Sequence, residues 1–306
     1  AMAGQGQIPT GLPEHVKNHQ MIMEAPLPEP SFEMDTTTVR VHILNWEANK
    51  TSTKMVCLGV GSFFPYIGDN NTGFTDENGL AIVRFPQRGT SMVELSVGDG
   101  FSKHFYLWPG EKADVYVDVE RMTNASRDYM KRKMEQKDYG FGQKDTLTAE
   151  QINRQVVTEE YGFDQQPAIW FEGKYADLNT ALHRYLPFTD GYGWDMSFER
   201  QLTLNRPLAP TYANGMLAWH DYLKQRIMED ARLPLCAKQL CSLAIDVQAE
   251  NMLWGNAQML DGIAARKDGV SPSKYVEERP LTEEQIARFR SLGTNTNYRA
   301  YFRSLD

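Results

Sequence analysis

Residues 75–119 contain short runs in which apolar and polar side chains alternate, and this alternation limits the possible folds more than any other feature. The stretch opens at Thr75–Gly79, where Asp and Asn bond their own backbone and Gly accepts the positive φ of a hairpin turn. Every second residue is then apolar in the runs Ser91–Val97 and Ala113–Val119. Because successive strand side chains point to opposite faces, these runs predict a β-meander with one buried and one solvated face. We interpret the stretch as scaffold and not as a catalytic site.

Strand-like runs extend this pattern on both sides. They cover residues 39–44, 55–60, 80–85, 91–97, 101–108 and 113–119, about six strands in all. Residues 69–73, rich in Asp, Asn and Gly, are predicted to form a loop between two of them. Many short strands without an intervening helical pattern indicate an antiparallel β-sandwich.

The periodicity becomes helical after residue 146. Leu147–Ile152 has the capping residues of a helix start, and Leu281–Ile286 repeats the same device. A stripe of apolar residues at spacings of three and four runs from Tyr212 to Ile227. The predicted fold class is therefore α+β with two domains, an N-terminal antiparallel β-sandwich followed by an all-helical domain.

Composition along the chain gives the predicted boundaries. Residues 1–35 form a Pro-rich extended arm, 36–122 the β-sandwich, 123–145 a charged and Gly-containing linker, and 146–306 the helical domain. The arm has two open interpretations. It is either a tether from a membrane anchor or cleavage site, or a segment that packs across the next domain.

Charge and hydropathy exclude several classes of function. The formal net charge of −8 argues against binding to nucleic acid or to an anionic membrane surface, because both require clustered Lys and Arg. No apolar run approaches the roughly 20 residues of a membrane span. Cys57, Cys236 and Cys241 form no Cys-x-x-Cys pair, and we interpret them as small buried hydrophobic residues.

The sequence contains no complete catalytic or cofactor-binding motif. Phosphate loops, dinucleotide-binding loops and nucleophile elbows are all missing. His15 and His19 have the spacing of two metal ligands on a helix, but the nearby prolines argue against a helix there. We therefore predict no catalytic residue, no cofactor and no metal site in these residues.

A cluster of aromatic residues between positions 161 and 194 is the remaining candidate site. Its candidate members are Tyr161, Trp170, Phe171, Tyr185, Tyr192 and Trp194. One interpretation is a platform for a glycan or a peptide. The other is that these side chains fill the helical core or the seam between the two domains, where aromatic residues are common.

Three motifs resemble bacterial envelope proteins of the thioredoxin-like thiol-disulfide oxidoreductase family. They are the turn Thr75–Gly79, the sequence Pro109–Glu111 ahead of Val115–Asp118, and the run Phe171–Asn179, Phe-Glu-Gly-Lys-Tyr-Ala-Asp-Leu-Asn. The resemblance covers roughly Val39–Asp306. In that family a small β-sandwich and a helical region precede a C-terminal redoxin domain. The family's Trp-Cys-x-x-Cys has no counterpart here, so no catalytic residue is carried over.

The resemblance implies an accessory function. Either a redoxin domain follows Asp306, so that the parent protein is an oxidoreductase, or the chain is a homologue without that domain. The implied role is to position a redox domain or to dock another envelope protein, in the periplasm or cell envelope, with or without a lipid anchor. The alternative function is a glycan- or peptide-binding module that uses the aromatic cluster.

Overall fold

A computed structural model describes residues 9–47, 52–60, 69–98, 102–124, 167–185, 220–221, 224–225, 227–246, 269 and 282–292. Its strands are β1 (Met34–Ile43), β2 (Met55–Val60), β3 (Asp69–Phe74), β4 (Leu80–Arg88), β5 (Ser91–Val97), β6 (Lys103–Leu107), β7 (Lys112–Val117) and β8 (Ile169–Glu172). Its helices include α1 (Glu14–Lys17), α2 (Ala176–Tyr185) and α3 (Glu283–Leu292), and residues 119–124 and 235–246 are also helical. The described chain is therefore a mixture of α and β structure.

The eight strands form two four-stranded sheets. Sheet I has the order β4-β1-β7-β8, and sheet II has the order β3-β2-β5-β6. Strands β1 and β7 are parallel, whereas all the other described pairs are antiparallel. The inward side chains of both sheets meet in one core, which includes Val39, Leu58, Phe85, Leu95, Phe105, Val115 and Phe171. We call these two sheets the two-sheet unit.

The turn between β3 and β4 follows the predicted turn chemistry, but it connects strands of different sheets, so the predicted hairpin and β-meander are wrong. Asp76 Oδ1 accepts hydrogen bonds from the backbone N–H groups of Asn78 and Leu80, at 2.8 and 2.9 Å. Gly79 has a φ of 77°, and a Cβ there would lie 2.6 Å from the ring of Trp46. Gly79 is thus required both by backbone conformation and by the close approach of Trp46.

The predicted loop at residues 69–73 is wrong, because β3 occupies residues 69–74 and pairs with β2 over its full length. Asn, Asp and Gly disfavour strands by propensity, but ladder hydrogen bonds to a neighbouring strand override so weak a preference. Gly73 also has a steric reason to lie here. A Cβ on it would lie 3.0 Å from Val83 Cγ2 and 3.1 Å from the Ile82 carbonyl oxygen.

The prediction that residues 146–306 are all helical is wrong at β8, which extends sheet I beside β7. Strand β8 has only four residues, and its apolar run Ile169–Phe171 is too short for periodicity to separate a strand from a helix. Other predictions for this region, including the helix start at Leu147–Ile152, lie outside the described residues.

The N-terminal arm packs on the rest of the protein, as the second interpretation proposed. Val16 of α1 is buried against Leu44, Tyr116 and Trp170. Further along the arm, the Leu27 N–H donates to Gln239 Oε1 at 2.7 Å, and the Met23 carbonyl accepts from the Leu235 N–H at 2.8 Å. The arm therefore contacts both the two-sheet unit and the helical residues 235–246.

Across the described ranges, no helix is long and apolar enough to cross a membrane.

Candidate binding face on sheet I

Two of the motifs that carry the family resemblance meet in space at Glu111. Its Oε1 accepts a hydrogen bond from the Trp108 N–H at 2.6 Å, and its Oε2 accepts one from the Lys174 N–H at 2.9 Å. The Lys174 ammonium also lies 3.0 Å from the centre of the Trp108 indole ring. Glu111 thus fastens the turn between β6 and β7 to the turn between β8 and α2. Burial raises the pKa of the Glu111 carboxyl, although these two hydrogen bonds favour its ionised form.

Asn179 of α2 makes a second connection between these segments. Its Oδ1 accepts from the Tyr106 N–H at 2.8 Å, and its Nδ2 donates to the Tyr106 carbonyl at 2.9 Å. One turn later, His183 Nε2 donates to the His104 carbonyl at 2.7 Å. These side chains take the place of a neighbouring strand along the free edge of β6. Asn179 of the Phe171–Asn179 motif therefore has a structural role.

The outward face of sheet I carries a group of five polar side chains. Strand register places Arg40 of β1 beside Asp114 of β7, and Asp114 beside Glu172 of β8. Two positions along, His42 lies beside Tyr116. All five alternate in sequence with core residues, so they share the face that points away from the core.

Asp114 is the centre of the first group on this face. Its side chain is only 9 % exposed, and its two oxygens accept hydrogen bonds from Arg40 Nη2 and from His42 Nε2, the latter at 2.6 Å. The bond to Asp114 raises the pKa of the Arg40 guanidinium, which is charged at any physiological pH. Both carboxylate oxygens are thus occupied by cationic or N–H donors.

Glu172 is the centre of the second group. Its Oε2 accepts the hydroxyl proton of Tyr116 at 2.7 Å, and its Oε1 accepts from His15 Nε2 of the arm at 2.9 Å. The Tyr116 ring stacks on His42 with centroids 4.5 Å apart, which joins the two groups. Burial, followed by the bond to Glu172, raises the pKa of Tyr116, so its phenol stays protonated at neutral pH.

This arrangement can contact a ligand through its exposed groups. Neither carboxylate has a free oxygen facing a pocket, and Tyr116 is held neutral. The Glu172 carboxylate is itself 36 % exposed. The Arg40 side chain is 50 % exposed and the His15 side chain is 70 % exposed. The Arg40 guanidinium can contact an anionic or carbonyl-bearing ligand.

The structure describes three of the six candidate aromatic residues, and it does not bring them into an open platform. Trp170 is 6 % exposed beneath Val16 of the arm, and Phe171 is 4 % exposed in the core. Tyr185 ends α2, with the Arg232 guanidinium 5.3 Å from its ring centre. Tyr161, Tyr192 and Trp194 lie outside the described residues.

The two cysteines of the helical segment are poor nucleophiles. Cys236 and Cys241 are buried and free, and burial raises the pKa of Cys236 to about 11. Burial likewise raises the pKa of Cys241. Thiol exchange requires a thiolate, so neither residue is prepared for it at neutral pH. Cys57 is free and partly exposed on β2.

A separate charged cluster connects the helical residues. The buried His220 ring bonds Asp246 through Nε2 at 2.6 Å and Asp221 through Nδ1 at 3.0 Å. Lys224 Nζ bonds Asp246 at 2.9 Å, and Arg288 Nη2 bonds Asp221 at 2.6 Å. Although burial opposes it, hydrogen bonds from His220 and Lys224 lower the pKa of Asp246. Both ring nitrogens of His220 and both oxygens of Asp246 have partners within the cluster, which is typical of a structural ion network.

Within the ranges that the structure covers, no group of three or more His, Cys, Asp or Glu side chains could hold a metal ion. His15 and His19 do not converge on one point, because His15 bonds Glu172 and His19 Nε2 bonds Asp177 at 2.6 Å. Comparison with protein-family models, with curated proteins and with solved structures finds no match to this chain.

The sequence contains part of the signal for this face. Alternation with apolar residues places Arg40 and His42 on the polar side of β1, and Asp114 and Tyr116 on the polar side of β7. Their meeting depends on the parallel pairing of β1 with β7, which are separated by more than 60 residues. Alternation identifies the polar side of each strand, but it does not identify the neighbouring strand.

Proposed function

We propose that this chain is a non-catalytic accessory region of an exported bacterial thiol-disulfide oxidoreductase system. Its role is to position a redoxin domain or to dock a partner protein in the periplasm or cell envelope. The proposed layout is a β-sandwich as the leading unit, to which residues 169–172 belong, followed by a helical unit. The resemblance in the motifs at Thr75–Gly79, Pro109–Glu111 and Phe171–Asn179 suggests the family.

The observation that carries the proposal is that polar side chains of these motifs bond backbone groups and so stabilise turns and a strand edge. Asp76 organises a turn, Glu111 joins two turns, and Asn179 covers a strand edge. Both side-chain polar atoms of Glu111 and of Asn179 bond backbone groups, so these two side chains are not available to a substrate. The raised pKa of Cys236 and Cys241 supports the non-catalytic part of the proposal, because both thiols stay protonated at neutral pH.

A thiol-exchange assay tests this proposal. We expect the purified chain not to accelerate reduction of insulin by dithiothreitol, in contrast to a thioredoxin standard. The matched control is a variant with Cys57→Ala, Cys236→Ala and Cys241→Ala, which should give the same rate as the wild type. A wild-type rate above that of the cysteine-free variant would contradict the proposal. With Ellman's reagent, Cys236 and Cys241 should react only after unfolding in urea.

The two versions of the role are separated by the coding frame beyond Asp306. A redoxin domain encoded there favours positioning within one polypeptide. A stop codon at that point favours docking of a separate partner.

The burial of Trp170 and Phe171 provides no support for the alternative function, a glycan- or peptide-binding module built on the aromatic cluster. We therefore do not propose it as a second function.

A further inference from the structure

We infer that the outward face of sheet I docks an acidic segment of a partner protein. This inference rests on the docking role in the proposed function and gives the chemistry of the partner. It concerns the part of the face nearest β4. There Thr38 of β1 lies between Arg84 of β4 and Lys112 of β7. We call Arg40, Arg84 and Lys112 the cationic face.

The strand register places these cations close together. Arg84 and Lys112 flank Thr38 on its two sides, so their Cα atoms are about 10 Å apart across two strand spacings. Arg40 follows two residues along β1 and therefore points the same way, about 7 Å further along the strand. This spacing matches carboxylates on nearby residues of an extended peptide.

The cationic face is open and carries an excess of positive charge. Arg40, Arg84 and Lys112 are all exposed. Among the residues that the structure places, Arg84 and Lys112 make no ion pair, and Arg40 pairs only with Asp114. Asp114 is already saturated by Arg40 and His42. The local surplus of cations is notable in a chain of net charge −8.

The surroundings favour a protein segment over a uniform polyanion. Ile82 lies in register with Arg40 and is 49 % exposed, so an apolar side chain of a partner has a contact beside the cations. Asp114 and Glu172 lie on the same face and would repel a dense phosphate array such as a lipid surface. Discrete carboxylates in a mixed sequence can avoid both acidic positions.

A peptide-binding measurement tests the inference. The probe is a fluorescein-labelled peptide of about eight residues that alternates Glu with Gly, read by fluorescence anisotropy at low salt. We expect the wild type to bind it, and Arg84→Glu with Lys112→Glu to weaken binding about tenfold or more. A peptide that alternates Gln with Gly should not bind. The charge-matched control is Lys54→Glu with Arg184→Glu, which should bind as the wild type does.

Several results would overturn the inference. They are absence of binding by the wild type, equal loss in the test and control variants, and tighter binding to heparin or to vesicles containing phosphatidylglycerol than to the peptide. If the variant with Arg84→Glu and Lys112→Glu does not fold, as judged by circular dichroism, peptide binding is measured with Arg84→Gln and Lys112→Gln instead. Unchanged binding by that variant would contradict the inference. The two proposals fail in different experiments. Thiol-exchange activity of the chain would contradict the proposed function, whereas absence of peptide binding would contradict the inference about the cationic face.

Discussion

Glu111 illustrates how a residue in a recognisable motif can have a wholly structural role. Its two oxygens accept backbone hydrogen bonds from Trp108 and Lys174, so the carboxylate fixes two turns that are more than 60 residues apart in sequence. Gly173 makes room for it, since a Cβ there would lie 2.8 Å from Glu111 Oε2. Burial raises the pKa of the carboxyl. Burial therefore also disfavours the ionised form of the Glu111 carboxyl, which is the form that accepts both hydrogen bonds.

The raised pKa of Glu111 predicts a pH dependence. A carboxyl with a raised folded-state pKa binds more protons in the folded protein, so its contribution to stability is lost as pH rises through that pKa. We expect the free energy of unfolding of the wild type, relative to Glu111→Gln, to decrease as the pH rises above the ordinary pKa of a Glu carboxyl. Urea unfolding followed by circular dichroism measures it. Glu94→Gln, at an exposed position of β5, should show no such pH dependence of stability relative to the wild type. A pH dependence of equal size in that variant would contradict the prediction.

At the scale of elements, α2 protects the edge of sheet II. Strand β6 is the last strand of that sheet, and its outer backbone groups would otherwise be free to pair with another chain. Asn179 and His183 bond the backbone of Tyr106 and His104 and so satisfy part of that edge. The helix thereby completes the two-sheet unit, although its residues come after β8 in the chain.

Asn179→Ala should destabilise the protein by about 2–3 kcal/mol, because it leaves a buried N–H and a buried carbonyl of Tyr106 without partners. Urea unfolding gives the value. The control is Asn18→Ala, whose exposed amide bonds only Glu14, and which should cost less than about 0.5 kcal/mol. If both variants lose the same stability, Asn179 does not satisfy the strand edge as described.

At the scale of the whole molecule, the arm connects parts of the chain that are distant in sequence. Its helix α1 covers Trp170 and Tyr116 through Val16, and His19 and the Ile22 N–H both bond Asp177 of α2. Further on, Leu27 bonds Gln239 of the helical residues 235–246. The arm is thus part of the folded protein in these ranges, in agreement with the interpretation that it packs across the next domain.

Val16→Asp should release the start of the arm. Val16 is 2 % exposed, and an unpaired carboxylate in its place would be buried against Leu44 and Trp170. We expect trypsin to cleave after Lys17 at least about tenfold faster, as measured by mass spectrometry, because local opening becomes easier by more than about 1.4 kcal/mol. Ile22→Asp, at a side chain 66 % exposed, should leave the cleavage rate unchanged. Equal rates in the two variants would contradict this account.

The sequence by itself determined the local structure wherever one strand or one turn decides the pattern. The alternation from Ser91 to Val97 matched β5 to the residue, and Asp76 and Gly79 show the expected side-chain bond and positive φ, because these outcomes depend on neighbours along the chain. The sequence did not determine pairing. Strand β3 forms despite its Asn and Gly residues, and β8 forms in a region predicted to be helical, because each gains ladder bonds from another strand. The face of Arg40, Asp114 and Glu172 exists only through that pairing. Only the tertiary structure could decide it, since the contacts join residues that no local pattern relates.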